Sequence, residues 1–302
     1  MFNKLYDFSK KLGCSAYLNE PLDKHSSFKI GGKSKIFIEP VDLESLKNII
    51  IFCKDNNIKN IIIGNGSNIL FRDEGFDGAV IKLGQKFEEI KIKNKTQIFA
   101  SAGVSLSKLA YFAMENSLSG LEFCWGIPGN VGGAVFMNAG AFGSEIKDVI
   151  INSDYININN NIINQGKLSR DEMELGYRTS AYMKNNFIIT GALFSLSLGE
   201  KSKIKATMDE YMIKRKSKQP LEFPNAGSIF KRPKNNFAGT LIQNCGLKGK
   251  SIGGAQVSEK HAGFIINKNN ATSKDVIDLI SFVRQEVFNK TGFDLEPEIR
   301  II

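Results

Sequence analysis

Long hydrophobic runs, paired metal-ligand motifs and nucleophile signatures are what this sequence goes without. Its apolar stretches are short, Ile49–Cys53 among them, against the roughly 18 to 20 residues a helix needs to cross a bilayer. A transmembrane helix is therefore not expected, nor any insertion into a membrane. The N-terminal segment from Met1 to Asp7 is polar and followed by further lysines, so the apolar core of a secretory signal is missing and a cytoplasmic location is expected. The four cysteines, Cys14, Cys53, Cys124 and Cys245, are scattered, with no C-x-x-C pair to hold a metal or form a redox couple. They are expected to be reduced and buried. His25 and His261, the two histidines, stand beside no serine or cysteine nucleophile motif, and no G-x-S-x-G occurs. A hydrolase triad and a zinc centre are both unsupported.

What is present is ordinary in bulk. A chain that is 42% hydrophobic and 24% charged lies at the globular average, and 302 residues are better read as two or three packed units than as one core. Forty basic against 31 acidic residues give a net charge of +9, which favours anionic partners. The densest basic stretch, Lys201 to Lys218, reads as a solvated helix face, and it lacks the interleaved aromatics that stack on bases. Nucleic acid is not an expected partner.

Periodicity gives a mixed order of helices and strands. After a polar lead-in, Asp42 should cap a helix carrying Leu43, Leu46, Ile49, Ile50 and Cys53 on one face, with the Ile61–Ile63 strand after it. Further strands are expected around Ala79–Leu83 and Gln97–Ala100, and Ser105 should cap a second helix. A glycine-dense region, Gly120 to Gly143, interrupts the pattern before strands resume at Val149–Ile158 and Phe187–Leu198. Pro220 and Pro224 mark the best domain boundary. Beyond it the clearest element is a helix capped by Ser273, with Val276, Ile277, Ile280, Val283 and Val287 along one face. The chain shows no internal repeat.

Four constellations could carry chemistry. Gly64-Asn65-Gly66-Ser67-Asn68 leaves a strand as a glycine-rich turn whose N–H groups could cradle a pyrophosphate, although it fits neither the Walker spacing nor G-x-G-x-x-G, because Ile69 stands at the third glycine. Gly126-Ile127-Pro128-Gly129-Asn130-Val131-Gly132-Gly133-Ala134, followed by Asn138-Ala139-Gly140-Ala141-Phe142-Gly143 and bracketed by Trp125 and Phe142, suits a backbone laid against a flat ligand, or else a glycine-rich packing seam. Gly176-Tyr177-Arg178 and Ala226-Gly227-Ser228 supply a guanidinium that can stabilise developing negative charge and a hydroxyl that can deliver a proton. By residue type alone they are equally an ion pair and a turn serine. Leu295-Glu296-Pro297-Glu298-Ile299-Arg300 alternates like a strand, which would direct Glu296, Glu298 and Arg300 to one face.

Taken in order, with Ser27-Phe28-Lys29-Ile30-Gly31-Gly32 before them and Asn138-Ala139-Gly140 and Phe230-Lys231 among them, these segments resemble the UDP-N-acetylenolpyruvoylglucosamine reductase family along nearly the whole chain. The resemblance implies an α+β fold: a two-part FAD-binding region of the vanillyl-alcohol-oxidase type over residues 1–219, split near residue 85, and a substrate-binding domain over 220–302. It implies reduction of the flavin by NADPH and transfer of hydride to the enolpyruvyl ether of a UDP-sugar, giving UDP-N-acetylmuramate for cell-wall synthesis. Arg178 and Glu298 would stabilise the enolate-like intermediate and Ser228 would protonate the adjacent carbon. FAD would lie against Gly64, Asn65, Gly66, Ser67 and Asn68 and against Gly126, Ile127, Pro128, Gly129, Gly132 and Gly133. Lys231, Gln256 and Arg300 would touch the UDP-sugar. A monomer is expected.

The short interval from Arg178 to Ser228 resembles the family variant without an inserted substrate-clamping loop. Arg232 departs from the Asn common after Phe-Lys. A flavin oxidase acting on another alcohol, or a nucleotide-binding protein without activity, are the alternatives, and a yellow protein that consumes NADPH only with the enolpyruvyl sugar would separate them.

Overall fold

The computed structural model describes residues 1–159 and 162–302. The chain divides into two compact units, one of residues 1–18, 36–65 and 78–214, the other of residues 19–35, 66–77 and 215–302. The second is assembled from three separated stretches, because Phe28, Ile30 and Leu70 are buried in the same core as the C-terminal residues.

The first unit has two hydrophobic cores. One lies under a four-stranded sheet in the order Ser15–Leu18, Ser34–Glu39, Phe76–Lys82, Asn60–Ile63, whose last pair is parallel with Asn60 opposite Ala79. Helix α1 (Phe2–Lys11) and helix α2 (Leu43–Asp55) pack on it. Helix α2 starts as its sequence dictates: Asp42 accepts from the Ser45 amide at 2.7 Å and Ser45 Oγ accepts from the Asp42 amide at 3.1 Å. Leu46, Ile49, Ile50 and Cys53 form its buried stripe, each fully buried aliphatic side chain contributing about 1.5–3 kcal/mol. The polar lead-in is a correction to the sequence reading, since it folds as α1. Lysines mask a stripe in which Leu5 is fully buried and Phe8 stacks on Phe52 at 5.0 Å.

The other core lies against an antiparallel sheet in the order Ile162–Ser169, Ile150–Asn159, Ile188–Ser195, Gln97–Ser101, Ile90–Asn94. Helix α3 (Leu106–Glu115) is capped by Ser105, which accepts from the Lys108 amide at 3.2 Å. Helix α4 (Val131–Met137) occupies ground where the glycines suggested only irregular chain. It forms because the Val131 and Gly132 amides, first in the helix, donate to the Val104 and Ala102 carbonyls at 2.9 Å each. Helix α5 (Lys201–Lys218) is the basic segment, and its lysines pair with Glu115, Asp209, Glu210 and Glu200.

The second unit has an antiparallel sheet in the order Asn225–Ser228, Phe264–Asn267, Ala255–Val257, Ser251–Ile252, with helix α6 (Ala238–Asn244) and helix α7 (Ser273–Thr291). The cap of α7 is Thr272 rather than Ser273: Thr272 Oγ1 accepts from the Asp275 amide at 3.0 Å, and Asp275 accepts from the Thr272 amide at 2.9 Å. Ser273 is the first helical residue, and its hydroxyl and amide both donate to the Asp73 carboxylate. No helix among the described residues is long and apolar enough to cross a membrane, and the described residues contain no cluster of His, Cys, Asp and Glu fit for a metal.

Candidate active site

In the first unit two glycine loops far apart in sequence lie side by side. Asn65 Nδ2 donates to the Pro128 carbonyl at 2.6 Å, and Gly64 lies against the Asn130 side chain. The loop holding Gly126, Ile127, Pro128 and Gly129 is fixed from beneath: the Gly126 amide donates to Ser107 Oγ, the Ile127 amide to Cys124 O, and Gly129 O accepts from the Leu106 amide. Asn130, which is buried, donates to Gly103 O at 2.5 Å.

The glycines divide into two kinds when a side chain is imagined on each. A Cβ on Gly132 would stand 3.0 Å from Ala102 Cβ, so packing accounts for that glycine, and its amide is already engaged. A Cβ on Gly133 would meet nothing within 4 Å, and on Gly64 only an ordinary 3.4 Å contact with Asn130. Nothing in the protein requires Gly64 and Gly133 to be bare, which fits a flat cofactor approaching the main chain there.

Arg178 is presented by a tight turn. Gly176 and Thr179 exchange main-chain hydrogen bonds at 3.1 and 3.3 Å, and Arg178 sits at φ +54°, the left-handed region where such turns prefer glycine. Its guanidinium lies 5.0 Å from the centre of the Tyr177 ring and donates from Nη1 to Asn138 O at 3.4 Å. Half-buried Arg178 is thus held as a cation at the end of a stiffened loop.

In the second unit the main chain next to Ser228 is joined to that of Glu298. Glu298 N–H donates to Ile229 O at 2.7 Å, one residue beyond Ser228, and Phe230 bridges Pro297. Ser228 ends a strand with a register shift, since Asn225 faces Ile266 and Ser228 faces Phe264; such bulges re-aim a side chain. The shift is built by Asn225 Oδ1 accepting from Gly227 N–H at 3.0 Å, with Gly227 at φ +79°. His261 supports the neighbouring strand: its Nδ1 accepts from the Gly263 amide, whose carbonyl accepts from the Ile229 amide. Burial, and then Lys248 and Lys218, hold its pKa below the ordinary value.

Gly66, Ser67 and Asn68 belong to this second unit. Gly66, at φ +63°, is required by packing, since a Cβ would overlap His25 O at 2.1 Å. Asn68 Nδ2 donates to Glu298 O at 3.2 Å, and Asn68 O accepts from the Arg300 amide. In the C-terminal segment Leu295 and Ile299 are buried and Glu296 and Arg300 exposed, but Pro297 and Glu298 are both half-buried, so the alternation expected of a strand is broken there. Only Arg300–Ile301 is a strand, pairing in parallel with Ile69–Leu70. Lys231 pairs with Glu296 at 2.6 Å, Gln256 Nε2 donates to Gly249 O and Ser251 Oγ, and Arg232 lies over the Phe237 ring at 5.0 Å.

Sequence reasoning passed over Asn130 as a support for Gly64 and passed over what Asn138 holds. Polar amides embedded in runs of small apolar residues were the available signal.

The glycine loops and the α+β fold define a class, proteins built on an FAD-binding domain: residues 34–164 match the family model described as FAD binding domain. Residues 219–302 match that described as UDP-N-acetylenolpyruvoylglucosamine reductase, C-terminal domain. The UDP-N-acetylenolpyruvoylglucosamine reductase of Clostridium botulinum strain Eklund 17B is 49% identical over 284 residues, 94% of this chain and 92% of that one. Its counterpart from strain Hall is 47% identical over 285 residues, again 94% and 92% of the two chains. The crystal structure of the reductase from Thermus caldophilus superimposes with a TM-score of 0.80 at 32% identity, covering 95% of this chain and 98% of that chain. The chain belongs to the UDP-N-acetylenolpyruvoylglucosamine reductase family.

Proposed function

We propose that this protein is a cytoplasmic, monomeric oxidoreductase that uses NADPH and FAD to reduce UDP-N-acetyl-3-O-(1-carboxyvinyl)-glucosamine to UDP-N-acetylmuramate, a precursor of peptidoglycan. The observation that carries this reading is the pairing, along one chain, of an FAD-binding domain match with a reductase C-terminal match. Held by the glycine loops, FAD would be the hydride donor to the substrate, with NADPH as the source of its electrons. Gly64 and Gly133 leave their Cα atoms open to FAD, and Asn65 and the Gly126–Gly129 loop lie beside Gly64 to hold it; Ser67 and Asn68 are assigned as further contacts, while Gly132 and Gly66 serve by letting their segments pack closely. The substrate-binding part is residues 220–302, where Lys231, Gln256 and Arg300 contact the UDP-sugar.

The residues of the chain manage charge and proton. Arrival of hydride at one carbon of the enolpyruvyl double bond leaves negative charge spread into the substrate carboxylate. Arg178, a fixed cation, and Glu298 as a hydrogen-bonding acid stabilise that charge. Ser228 Oγ gives its proton to the other carbon, completing the two-electron reduction to the lactyl ether.

Two measurements test the reading. The purified protein should be yellow and should consume NADPH only when the enolpyruvyl UDP-sugar is present; consumption without it would favour an oxidase, and a colourless protein a binding role. Ser228→Ala should leave flavin reduction by NADPH intact while slowing substrate reduction roughly 100- to 10,000-fold, the range a positioned acid contributes. Equal loss in the two half-reactions would contradict the assigned role.

A further inference from the structure

We infer that Asn138 is the positioning residue that sets the Arg178 guanidinium for the reaction; the inference rests on the function proposed for Arg178. Asn138 caps the C-terminus of α4 at φ +43°, ψ +58°, and is fully buried. A buried carboxamide in a left-handed conformation needs a reason, and here each of its polar atoms has work.

Its Nδ2 donates to Gly176 O at 2.9 Å and to Glu145 Oε2 at 3.0 Å, and its Oδ1 accepts from the Lys147 amide at 2.9 Å. Gly176 O is the carbonyl that also closes the turn carrying Arg178, through the Thr179 amide. The Asn138 main-chain carbonyl then accepts from Arg178 Nη1 at 3.4 Å. One residue therefore grips the turn at its first position and the guanidinium at its far end. The left-handed backbone is what allows both, since it ends the helix and turns the carbonyl out of the helical ladder.

The grip has two further supports. Ser180 Oγ, one residue past the turn, donates to Phe136 O on the same helix at 2.7 Å. Glu145, which receives the Asn138 amide, is itself fixed by Lys147 at 2.5 Å. Asn138 is thus the joint at which the end of α4, the segment at Glu145–Lys147 and the Arg178 turn meet. Arg178 occupies a conformation that its residue type disfavours, so without the joint the turn would relax and the cation would move.

Asn138→Gly is the direct test, because glycine keeps the left-handed backbone and the carbonyl while removing the carboxamide. Rapid-mixing measurements on the flavin-loaded enzyme should show NADPH reduction of the flavin unchanged. Reoxidation of the reduced flavin by the enolpyruvyl UDP-sugar should slow roughly 10- to 100-fold, the cost of a small misplacement. In an Arg178→Ala background Asn138→Gly should add nothing, because the two act as one unit. Additive effects, or equal slowing of both half-reactions, would overturn the inference. Arg178→Ala without effect on substrate reduction would instead overturn the reading of the site beneath it.

Asn138→Asp gives an independent readout. It retains the acceptor for the Lys147 amide but turns an acceptor toward Gly176 O and Glu145. Its deficit in substrate reduction should shrink as pH falls and protonation restores a donor. A pH-independent deficit, or loss of bound flavin in both variants, would make Asn138 a folding residue only and overturn the inference.

Discussion

Arg178 carries a contradiction at the level of a single residue. Its φ of +54° costs a residue with a side chain on the order of 1–3 kcal/mol, and only surrounding structure holds it there. Glycine would adopt that conformation freely, so Arg178→Gly should raise the thermal transition of the protein, or leave it unchanged, while substrate reduction falls at least about 100-fold. A loss of stability together with activity would show that the guanidinium is mainly a structural clamp. Gly133 presents the reverse case. With nothing within 4 Å of an added Cβ, Gly133→Ala should fold as well as the parent, helped by alanine's preference for helix, yet should weaken FAD binding roughly tenfold or more by intruding on the cofactor face. Equal FAD affinity in calorimetric titration of the apoprotein would remove Gly133 from the cofactor surface. The resemblance of the motifs, not residue type, marked Arg178 and Ser228 as chemical groups. It could not reveal the strain at Arg178 or which glycines are bare for packing and which are not, since both depend on neighbours distant in sequence.

Among the elements, the helix starts were the most legible. Asp42 and Ser105 cap α2 and α3 as their side chains dictate, because a cap is a local bond between residues three apart. The start of α7 was misplaced by one residue for a tertiary reason: Ser273 looks like a cap, but its hydroxyl is drawn to Asp73, and Thr272 closes the capping box with Asp275. Thr272→Ala should therefore destabilise the fold by about 1 kcal/mol without changing flavin content, as chemical denaturation would show. The Asp275 pKa lies below its ordinary value, chiefly because its carboxylate accepts from the Thr272 amide and then because burial is outweighed by the Gly254 amide, the Thr272 hydroxyl and Lys274. The stabilisation from this carboxylate is present above the ordinary carboxylate range and is lost as pH falls through the lowered folded value. Asp275→Asn should flatten that part of the acid transition. Helices α1 and α4 went unread because lysines in one and glycines in the other hide stripes that only their packing partners make apolar or orderly.

For the molecule as a whole, the C-terminal residues share one compact unit with two earlier stretches of chain, residues 19–35 and 66–77. A composition change at Pro220 marks where a segment begins along the chain, but it carries no record of which earlier segments join its core. Phe28, Ile30 and Leu70 are apolar residues that could have served any core; burial with Ala226, Ile229 and Leu295 is what assigns them. The same holds for Asn68, whose side chain bonds the main chain of Glu298 from far along the chain.

The sequence by itself determined the α+β class, the caps of α2 and α3, the charge balance and the order of motifs that marks the family, because each is a property of neighbouring residues or of simple succession. Tertiary structure alone decided how Asn138 grips the Arg178 turn, how Asn65 joins the two glycine loops, and how the Glu298 amide comes to bond the Ile229 carbonyl beside Ser228. These are hydrogen bonds between groups dozens to hundreds of positions apart, and their partners are chosen by burial and backbone path, which no local pattern of side chains encodes.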